Sequence, residues 1–460
     1  MSNVDKQQLL RSLPAVDKVL GTERIARIKE QWLPRLVDEA VRGEVDAVRA
    51  AILAGSDPGS IEPEAIAART EARLAADLAP GVSRCINATG VVLHTGLGRA
   101  VLAGEAIDAI QRELSGYSIV SIDREAGARI RRESAVARIL AALTGAEAAT
   151  VVNNNAAATV ITLNTMAAGR EAILSRGQLV EIGGSFRMPD VFETAGVRLR
   201  EVGTTNRTYI SDYERAIGEE TGLLLRVHPS NYKVTGFVHE PTIEEMVALG
   251  RERGIPVLDD LGAGALVEIP PETPVTASID AGADLITCSG DKLIGGPQSG
   301  IILGKREWVD RVRRNPLFRA LRVDKLTLTA LEATLRLFLA PNGPDDRHPS
   351  FRMLRIPQEE LVKLADALAQ RIRSAAPRLE VATRSDFSQV GSGSMPGETL
   401  PTTLVSLRSP TQNASAFARG LRLGNPPVYT RIVEDTVCLD PRTLLDGEDE
   451  EIVNILKEMP

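Results

Sequence analysis

Residues 283–300 read Ala-Asp-Leu-Ile-Thr-Cys-Ser-Gly-Asp-Lys-Leu-Ile-Gly-Gly-Pro-Gln-Ser-Gly and contain a single lysine, Lys292. A short apolar run ends at Ser289, and Lys292 follows three residues later. A Gly-Gly-Pro turn comes next, and residues 300–303 have the apolar character of a second buried strand. A lysine held between two strands suits Schiff-base chemistry, which needs a fixed position and a lowered amine pKa. A loop lysine that makes only a structural salt bridge would fit the same pattern.

An acidic strand end lies upstream of this lysine. Residues 253–264 run from an apolar strand into Asp259 and Asp260 and then into glycines. In enzymes that use pyridoxal 5′-phosphate (PLP), a carboxylate placed in this way faces the pyridinium nitrogen and lets the ring act as an electron sink. We predict Asp260 for this role, with Asp259 as the alternative because the register is ambiguous by one residue.

Three asparagines, Asn153, Asn154 and Asn155, separate a β-branched strand from an alanine-rich helix start. Backbone N–H groups at a helix N-terminus and Asn amides suit a phosphate, although an ordinary turn and helix cap would explain the triplet by itself. The chain thus has a possible phosphate site at the asparagines, then an acid, and then the lysine. This order favours a PLP site of the aminotransferase-like kind, fold type I. We therefore predict Asn154, Asn155 and Ser289 as contacts of the PLP phosphate and Lys292 as the Schiff-base residue.

Several segments carry a more specific resemblance. They are residues 84–99, 151–158, 179–187, 202–206, 228–232, 289–297 and 318–325, the first reading Arg-Cys-Ile-Asn-Ala-Thr-Gly-Val-Val-Leu-His-Thr-Gly-Leu-Gly-Arg. In this order they resemble the bacterial L-seryl-tRNA(Sec) selenium transferases, the selenocysteine synthases, over nearly the whole chain. The resemblance implies a transferase of selenocysteine biosynthesis that converts L-seryl-tRNA(Sec) to L-selenocysteinyl-tRNA(Sec) with selenophosphate, through a PLP aldimine and an aminoacrylate.

The resemblance also implies roles for individual residues. Lys292 would hold PLP and remove the Cα proton of the seryl group. Arg99, Arg319 and Arg322 would hold the phosphate-like selenium donor, since guanidinium groups suit a tetrahedral oxyanion. Because Arg319 and Arg322 are three residues apart, we expect them on one face of a helix. His228 would approach the cofactor, or would merely end a strand.

Partners beyond the substrate also follow only from the resemblance. It implies a homo-oligomer in which dimers form a ring, a homodecamer. It also implies that a helical N-terminal domain helps to grip the tRNA, although a dimerisation or capping bundle fits those residues equally well.

The composition of the chain limits the classes of function that it can have. The net charge of −7 argues against indiscriminate nucleic-acid binding, although residues 305–325 hold eight basic and three acidic side chains. Three cysteines without metal-ligand spacing predict a reducing compartment, no disulfide scaffold and no metal site. The chain start lacks a signal-peptide pattern, and no apolar run is long enough for a bilayer, so we expect a cytoplasmic protein without a membrane segment.

Alternating strand and helix patterns predict the domain organisation. We expect a helical domain over residues 1–60, with helices at 15–20, 23–42 and 45–53, and a linker helix over 61–83. An α/β large domain with a mostly parallel sheet would span 84–340 and bind PLP. A smaller α+β domain would span 341–460.

Four departures from the family pattern leave the substrate open. They lie at Gly96, residues 119–121, Ile130 and Ala135. At Ile130 the family usually has glycine, and a β-branched residue does not easily adopt positive φ. A related PLP enzyme that carries out elimination or β-replacement on a small amino acid or amino-sugar acid therefore remains an alternative, as does a catalytically silent tRNA-binding protein.

Overall fold

The computed structural model describes residues 3–184, 186–391 and 393–459. The chain divides into two compact units, one up to Arg84 and the other from Cys85 onward. Within the described ranges, no helix combines the length and the apolar character needed to cross a membrane. The same residues contain no group of three or more His, Cys, Asp or Glu side chains arranged to hold a metal ion.

The first unit consists of helices. These are α1 (Asn3–Ser12), α2 (Val16–Leu20), α3 (Glu23–Gln31), α4 (Pro34–Ala54) and α5 (Pro63–Asp77). The prediction of one helix over 23–42 was wrong, because α3 ends before Pro34, whose missing N–H suits the first turn of a new helix. The predicted break near Gly43 was also wrong. Gly43 lies inside α4, where an added Cβ would be 3.0 Å from Nη1 of Arg73, a residue of α5.

Helix α5 belongs to the first unit and is not a separate linker. Its buried residues Ile66, Ala67 and Leu74 share one apolar cluster with residues of α2, α3 and α4. The Arg73 guanidinium also donates to Glu44 of α4 at 3.3 Å. Residues 55–62 connect α4 to α5 without helix, in keeping with the Gly-Ser-Asp-Pro-Gly-Ser sequence of residues 55–60.

The second unit is built around a seven-stranded sheet in the order β2-β10-β9-β8-β7-β3-β6. Its strands are β2 (Ala148–Val152), β3 (Glu171–Ser175), β6 (Arg198–Val202), β7 (Thr221–Val227), β8 (Val257–Gly262), β9 (Leu285–Ser289) and β10 (Gly300–Gly304). Only β10 runs antiparallel to its neighbours β2 and β9, whereas the pairs from β9 through β8, β7 and β3 to β6 are parallel. The mostly parallel sheet expected from the sequence is therefore confirmed.

Both faces of this sheet are buried, which explains the continuous apolar runs of its strands. Successive residues enter opposite clusters: Leu285 and Ile302 lie in one, and Ile286 and Ile301 in the other. The helices of this part are α6 (Gly104–Leu114), α7 (Ser134–Thr144), α8 (Asn155–Ala167), α9 (Met188–Thr194), α10 (Ile210–Ala216), α11 (Ile243–Arg253), α12 (Val275–Ala281), α13 (Arg306–Arg314), α14 (Leu317–Ala320) and α15 (Lys325–Leu337). Two short strands, β4 (Glu181–Ile182) and β5 (Phe186–Arg187), pair with each other.

The C-terminal part has its own core. It contains α16 (Pro349–Arg355), α17 (Gln358–Ala375), β11 (Glu380–Gln389), β12 (Thr399–Arg408), α18 (Ala414–Arg422), β13 (Val428–Tyr429), β14 (Arg431–Val433), β15 (Thr436–Leu439) and α19 (Glu448–Glu458). An antiparallel sheet, β11-β12-β15-β14, packs against these helices. Strand β1 (Ile86–Asn87) pairs in parallel with β13, so Ile86 and Ala88 belong to this core although the sequence assigned them to the large domain.

Candidate active site

Lys292 lies three residues beyond the end of β9 and is only 5% exposed. Burial lowers the pKa of its amine, and the positive charge of Arg99 lowers this pKa further. The carboxylates of Asp291, Asp260 and Glu272 act in the opposite direction. A buried lysine with a lowered pKa is available as a neutral amine, the form that attacks a carbonyl carbon.

The turn that follows Lys292 packs closely against the ring of His348. Gly295 has φ of 71°, and an added Cβ would lie 2.1 Å from the His348 ring. His348 is fully buried, and its Nε2 lies 2.9 Å from the carbonyl oxygen of Ile294. The N–H of Phe351 donates to Nδ1 of the same ring at 3.4 Å, so Nε2 carries the proton toward Ile294. The ring is therefore neutral in this position, in keeping with burial, which lowers the pKa of His348.

The two neighbouring aspartates of β8 point to opposite faces of the sheet, as consecutive strand residues must. Asp259 accepts two 2.7 Å hydrogen bonds from Arg226 and one of 2.6 Å from Ser278. Asp260 lies on the other face and interacts electrostatically with Lys292. Of the two aspartates, Asp260 is therefore the one whose carboxylate interacts with the lysine.

Three neutral donors surround Asp260. Asn155 Nδ2 and Thr287 Oγ1 donate to Oδ1 at 2.9 Å and 3.0 Å, and Thr159 Oγ1 donates to Oδ2 at 3.1 Å. Burial raises the pKa of this carboxyl, and the three hydrogen bonds oppose that rise. The threonines were not identified from the sequence, although Thr159 lies four residues after Asn155 on one helix face and Thr287 lies two residues before Ser289 on one strand face.

The asparagines take two different positions at the start of α8. Asn154 is the N-cap residue, and its side chain accepts the N–H of Ala157 at 2.8 Å. Asn155 turns its amide nitrogen toward Asp260, and its Oδ1 is buried without a hydrogen-bond partner among the described residues. In this arrangement Asn155 contacts the carboxylate, whereas the sequence predicted it at a phosphate. The N-terminus of α8 itself remains the element suited to an anion.

Ser289, Ser230 and His228 lie at the ends of strands near this group. Ser289 is buried at the last position of β9. His228 follows β7, donates its backbone N–H to the carbonyl of Asp260 at 2.9 Å, and places Nε2 3.8 Å from Glu272. Ser230 Oγ is buried and, in the described part of the chain, has no partner. Glu272 gave no signal in the sequence, since it lies in an irregular segment far along the chain from His228.

The arginines form two groups. Arg99, in a left-handed conformation with φ of 63°, lies beside Lys292 and places Nη1 3.3 Å from Asp291. Arg319 lies in α14, which ends at Ala320, and Arg322 forms an isolated bridge with Val152. The expectation that Arg319 and Arg322 share a helix face was therefore wrong, because α14 stops after one turn and the chain joins the sheet edge.

A further arginine, Arg132, belongs with Arg319 and Arg322. Burial lowers the pKa of Arg132, and the positive charges of Arg322 and Arg319 add to this lowering. Its Nη1 donates to the carbonyl of Val323 at 3.2 Å. Arg313, another member of the basic run, pairs instead with Glu133 at 3.5 Å and with Asp310 at 3.0 Å.

The residues at this site fit a phosphorylated aldehyde cofactor. The unpartnered buried atoms Asn155 Oδ1 and Ser230 Oγ lie beside Asp260 and Gly262 respectively, and an added Cβ at Gly262 would lie 4.0 Å from Lys292 Nζ. Orphaned polar atoms inside a protein indicate a group that the protein itself does not supply. A neutral amine, a buried acid and a helix N-terminus are the three features that PLP requires.

The fold and this arrangement define a class. A sheet with one reversed strand, an acid at the end of β8 and a lysine after β9 belong to the fold type I PLP-dependent enzymes. A solved structure of D-glucosaminate-6-phosphate ammonia-lyase shares this fold with a TM-score of 0.57 and 21% identity, and the match covers 84% of this chain and 97% of that one.

Sequence comparison then identifies the family. The family model for L-seryl-tRNA selenium transferase matches residues 85–445. The L-seryl-tRNA(Sec) selenium transferase of Nitratidesulfovibrio vulgaris is 45% identical over 98% of this chain and 99% of its own length. Those of Desulfomicrobium baculatum and Clostridium botulinum are 43% and 42% identical, covering 98% and 99% of this chain and 98% and 100% of their own lengths. The chain belongs to the L-seryl-tRNA selenium transferase family.

Proposed function

We propose that this chain converts L-seryl-tRNA(Sec) to L-selenocysteinyl-tRNA(Sec), with selenophosphate as the selenium donor and PLP as the cofactor. Family membership over nearly the full length carries the proposal. The buried amine of Lys292, with a lowered pKa and Asp260 nearby, supports the proposal independently. When bound, PLP would withdraw electrons from the Cα of the seryl group and so weaken its Cα–H bond.

Each residue of the site has a separate role in this proposal. Lys292 would hold the cofactor and would move the Cα proton, for which a lowered amine pKa is an advantage. Asp260 would interact with the ring nitrogen, and the N-terminus of α8 with Asn154 and Ser289 would hold the phosphate. Arg319 and Arg322 bind the anionic selenium donor, and Arg99 extends positive charge to Lys292.

Conversion of the aminoacyl-tRNA tests the proposal directly. Full-length protein with PLP, seryl-tRNA(Sec) and selenophosphate should yield selenocysteinyl-tRNA, detected by mass spectrometry of the released amino acid. Lys292→Ala should abolish the product, and Lys363→Ala, which changes an exposed lysine paired with Glu360, should leave it unchanged. Full conversion by Lys292→Ala would contradict the proposal.

The same assay separates the alternatives. Turnover of a free amino acid or amino-sugar acid without any requirement for tRNA would support a small-molecule PLP enzyme. Salt-sensitive binding of seryl-tRNA(Sec) without cofactor absorbance or product would support a silent binding protein. An L-seryl-tRNA(Sec) selenium transferase should convert seryl-tRNA(Sec) but not seryl-tRNA made from an ordinary serine tRNA.

The helical unit is proposed to contribute to tRNA binding. Its surface carries exposed basic side chains that could meet a phosphate backbone, among them Arg49, which pairs with Asp46. Deletion of residues 1–84 should weaken binding of seryl-tRNA(Sec) by filter or mobility assay. Unchanged affinity would assign this unit to dimerisation or capping.

Self-association is proposed as well, as a homo-oligomer of dimers. Tyr117, Ile119 and Ile122 are exposed beside an open groove of about 1040 Å³. Exposed apolar side chains grouped in this way indicate an interaction surface. Light scattering should give a mass of several chains, and Ile119→Asp should lower it; a monomeric wild-type protein at micromolar concentration would contradict the proposal.

A further inference from the structure

Glu272 is a buried carboxylate that lies between β8 and α12, in a segment with no helix or strand of its own. Its side chain is 5% exposed. Oε1 accepts the backbone N–H of Met395 at 2.9 Å, and Oε2 lies 3.8 Å from Nε2 of His228. One side chain therefore contacts two distant segments, the chain after β7 and the connection between β11 and β12.

The connection between β11 and β12 covers the lysine. An added Cβ at Gly393 would lie 2.9 Å from Lys292 Nζ, so the backbone at Gly393 approaches the amine as closely as glycine allows. Two residues later, Met395 has φ of 50°, a conformation that residues with a Cβ rarely adopt. Such a conformation persists only where surrounding contacts hold it.

Two contacts hold Met395. Its side chain is buried in an apolar cluster that includes Leu293, the neighbour of Lys292, and Val390. Its N–H is bound by the Glu272 carboxylate, and a hydrogen bond to a charged acceptor is stronger than one between neutral groups. The apolar contact fixes the side chain, and the carboxylate fixes the backbone that leads from Met395 back to Gly393.

We propose that Glu272 is a positioning residue that anchors residues 393–397 over the Lys292 amine and orients His228 toward the same site. The proposal rests on the proposed function only for the role of Lys292. A purely structural carboxylate would affect the stability of the whole unit, whereas an anchor for this loop affects the loop and the amine beneath it. The negative charge of Glu272 also opposes the lowering of the Lys292 amine pKa, so its removal should reach the lysine as well.

Hydrogen exchange of the full-length chain tests the anchor. We compare Glu272→Ala, Glu272→Gln and the control Glu268→Gln, which changes an exposed carboxylate of the same segment. In Glu272→Ala, peptides covering residues 393–397 should exchange about tenfold faster, the scale for loss of one buried hydrogen bond to a charged group. Glu272→Gln keeps an oxygen for the Met395 N–H and should stay near wild type, as should the control.

The reactivity of Lys292 supplies the second readout. The cofactor-free full-length chain is labelled with acetic anhydride across a pH series, and acetylation of Lys292 is quantified by peptide mass spectrometry. Loss of the negative charge in Glu272→Gln should move the labelling midpoint to lower pH, with the control unchanged. Neither measurement uses substrate or turnover. The proposed role of Glu272 can therefore be refuted while the proposed function stands, and the proposed function can be refuted while the role of Glu272 stands.

The outcomes decide the proposal in each case. Unchanged exchange in Glu272→Ala, or faster exchange throughout the second unit, overturns it. If Glu272→Ala does not fold, Glu272→Met, which removes both oxygens but keeps the side-chain volume, takes its place in the exchange experiment. Faster exchange confined to residues 393–397 supports the proposal, and unchanged exchange overturns it.

Discussion

The adjacent residues Asp259 and Asp260 should respond to the same substitution in opposite ways. Asp259→Asn removes the charge that faces Arg226, whose side chain is 19% exposed, while Asp259 itself is fully buried. Removal of one partner from a buried ion pair costs about 3–5 kcal/mol, because the other charge stays buried. The nearby charges of Glu244 and Glu240 still favour protonated Arg226, so we expect the lower end, about 3 kcal/mol.

Asp260→Asn should cost much less stability. Its three partners are neutral donors, two of them threonine hydroxyls that can rotate to accept a hydrogen bond from the new amide. Burial raises the pKa of Asp260, which means that the folded state bears a cost for its charge, and the substitution removes that cost. We expect the free energy of unfolding to change by no more than about 1 kcal/mol.

Activity should show the reverse order. Asp260→Asn removes the charge proposed to face the cofactor ring, and kcat should fall at least about 100-fold, the scale for one buried electrostatic contact to a reacting group. Asp259→Asn should keep kcat within about threefold wherever the protein remains folded, since Asp259 lies on the other face of the sheet.

Denaturant unfolding of the cofactor-free chain, followed by circular dichroism, measures the stabilities, and turnover of seryl-tRNA(Sec) measures kcat. Ser278→Ala is the matched control, because it removes only the 2.6 Å hydrogen bond to Asp259 and keeps the ion pair. Wild-type turnover by Asp260→Asn, or a stability loss in Asp260→Asn as large as that in Asp259→Asn, would refute this assignment of the two carboxylates.

Three further substitutions test the surroundings of the site. Lys292→Met should raise the free energy of unfolding of the cofactor-free chain by about 1 kcal/mol. Because the pKa of Lys292 is lowered in the folded state, the wild-type protein gains stability as the pH rises toward 10.5. The difference in stability between the two proteins should therefore shrink at high pH. Since the folded pKa of His348 is also lowered, wild type should lose stability as pH falls below 6.5, and denaturant titrations of His348→Phe should show a shallower loss together with lower stability at neutral pH. Asn154→Ala should cost about 1 kcal/mol in the same titration, because the N-cap hydrogen bond of α8 is lost, and Asn154→Ser should restore most of it.

The sequence predicted the parts of the site that lie at strand ends. Asp260, Ser289 and Asn154 all follow buried strands of one mostly parallel sheet, so their convergence at one edge needs only the strand order. It was harder to predict which of the two aspartates of β8 lies on the same face of the sheet as Lys292. Asp259 and Asp260 are both acidic and both buried, and only the position of Arg226 on the neighbouring strand decides which carboxylate is neutralised.

Other features have no local signal. The break between α3 and α4 follows from Pro34, yet Gly43 is the stronger apparent breaker until the stripe of Val37, Val41, Val45, Val48 and Ile52 is read as continuous through it. Arg322 leaves the helix because the backbone N–H of Asn153 bonds to the carbonyl of Leu321, a contact between residues far apart in the chain. Glu272 and Met395 are likewise brought together only by the packing of the C-terminal part against the sheet.

The three carboxylates around Lys292 differ in what holds them, and this difference decides how the site can respond. Asp260 is held by neutral donors of α8 and β9, whereas Asp291 is paired with Arg99. Glu272 alone among these three has its shortest contact with the β11–β12 connection. A movement of that connection would leave the charge of Asp260 in place but would free the Glu272 carboxylate. The amine of Lys292 would experience the change directly, because Gly393 lies against it. Access to the lysine and the charge that acts on it are therefore coupled through one hydrogen bond.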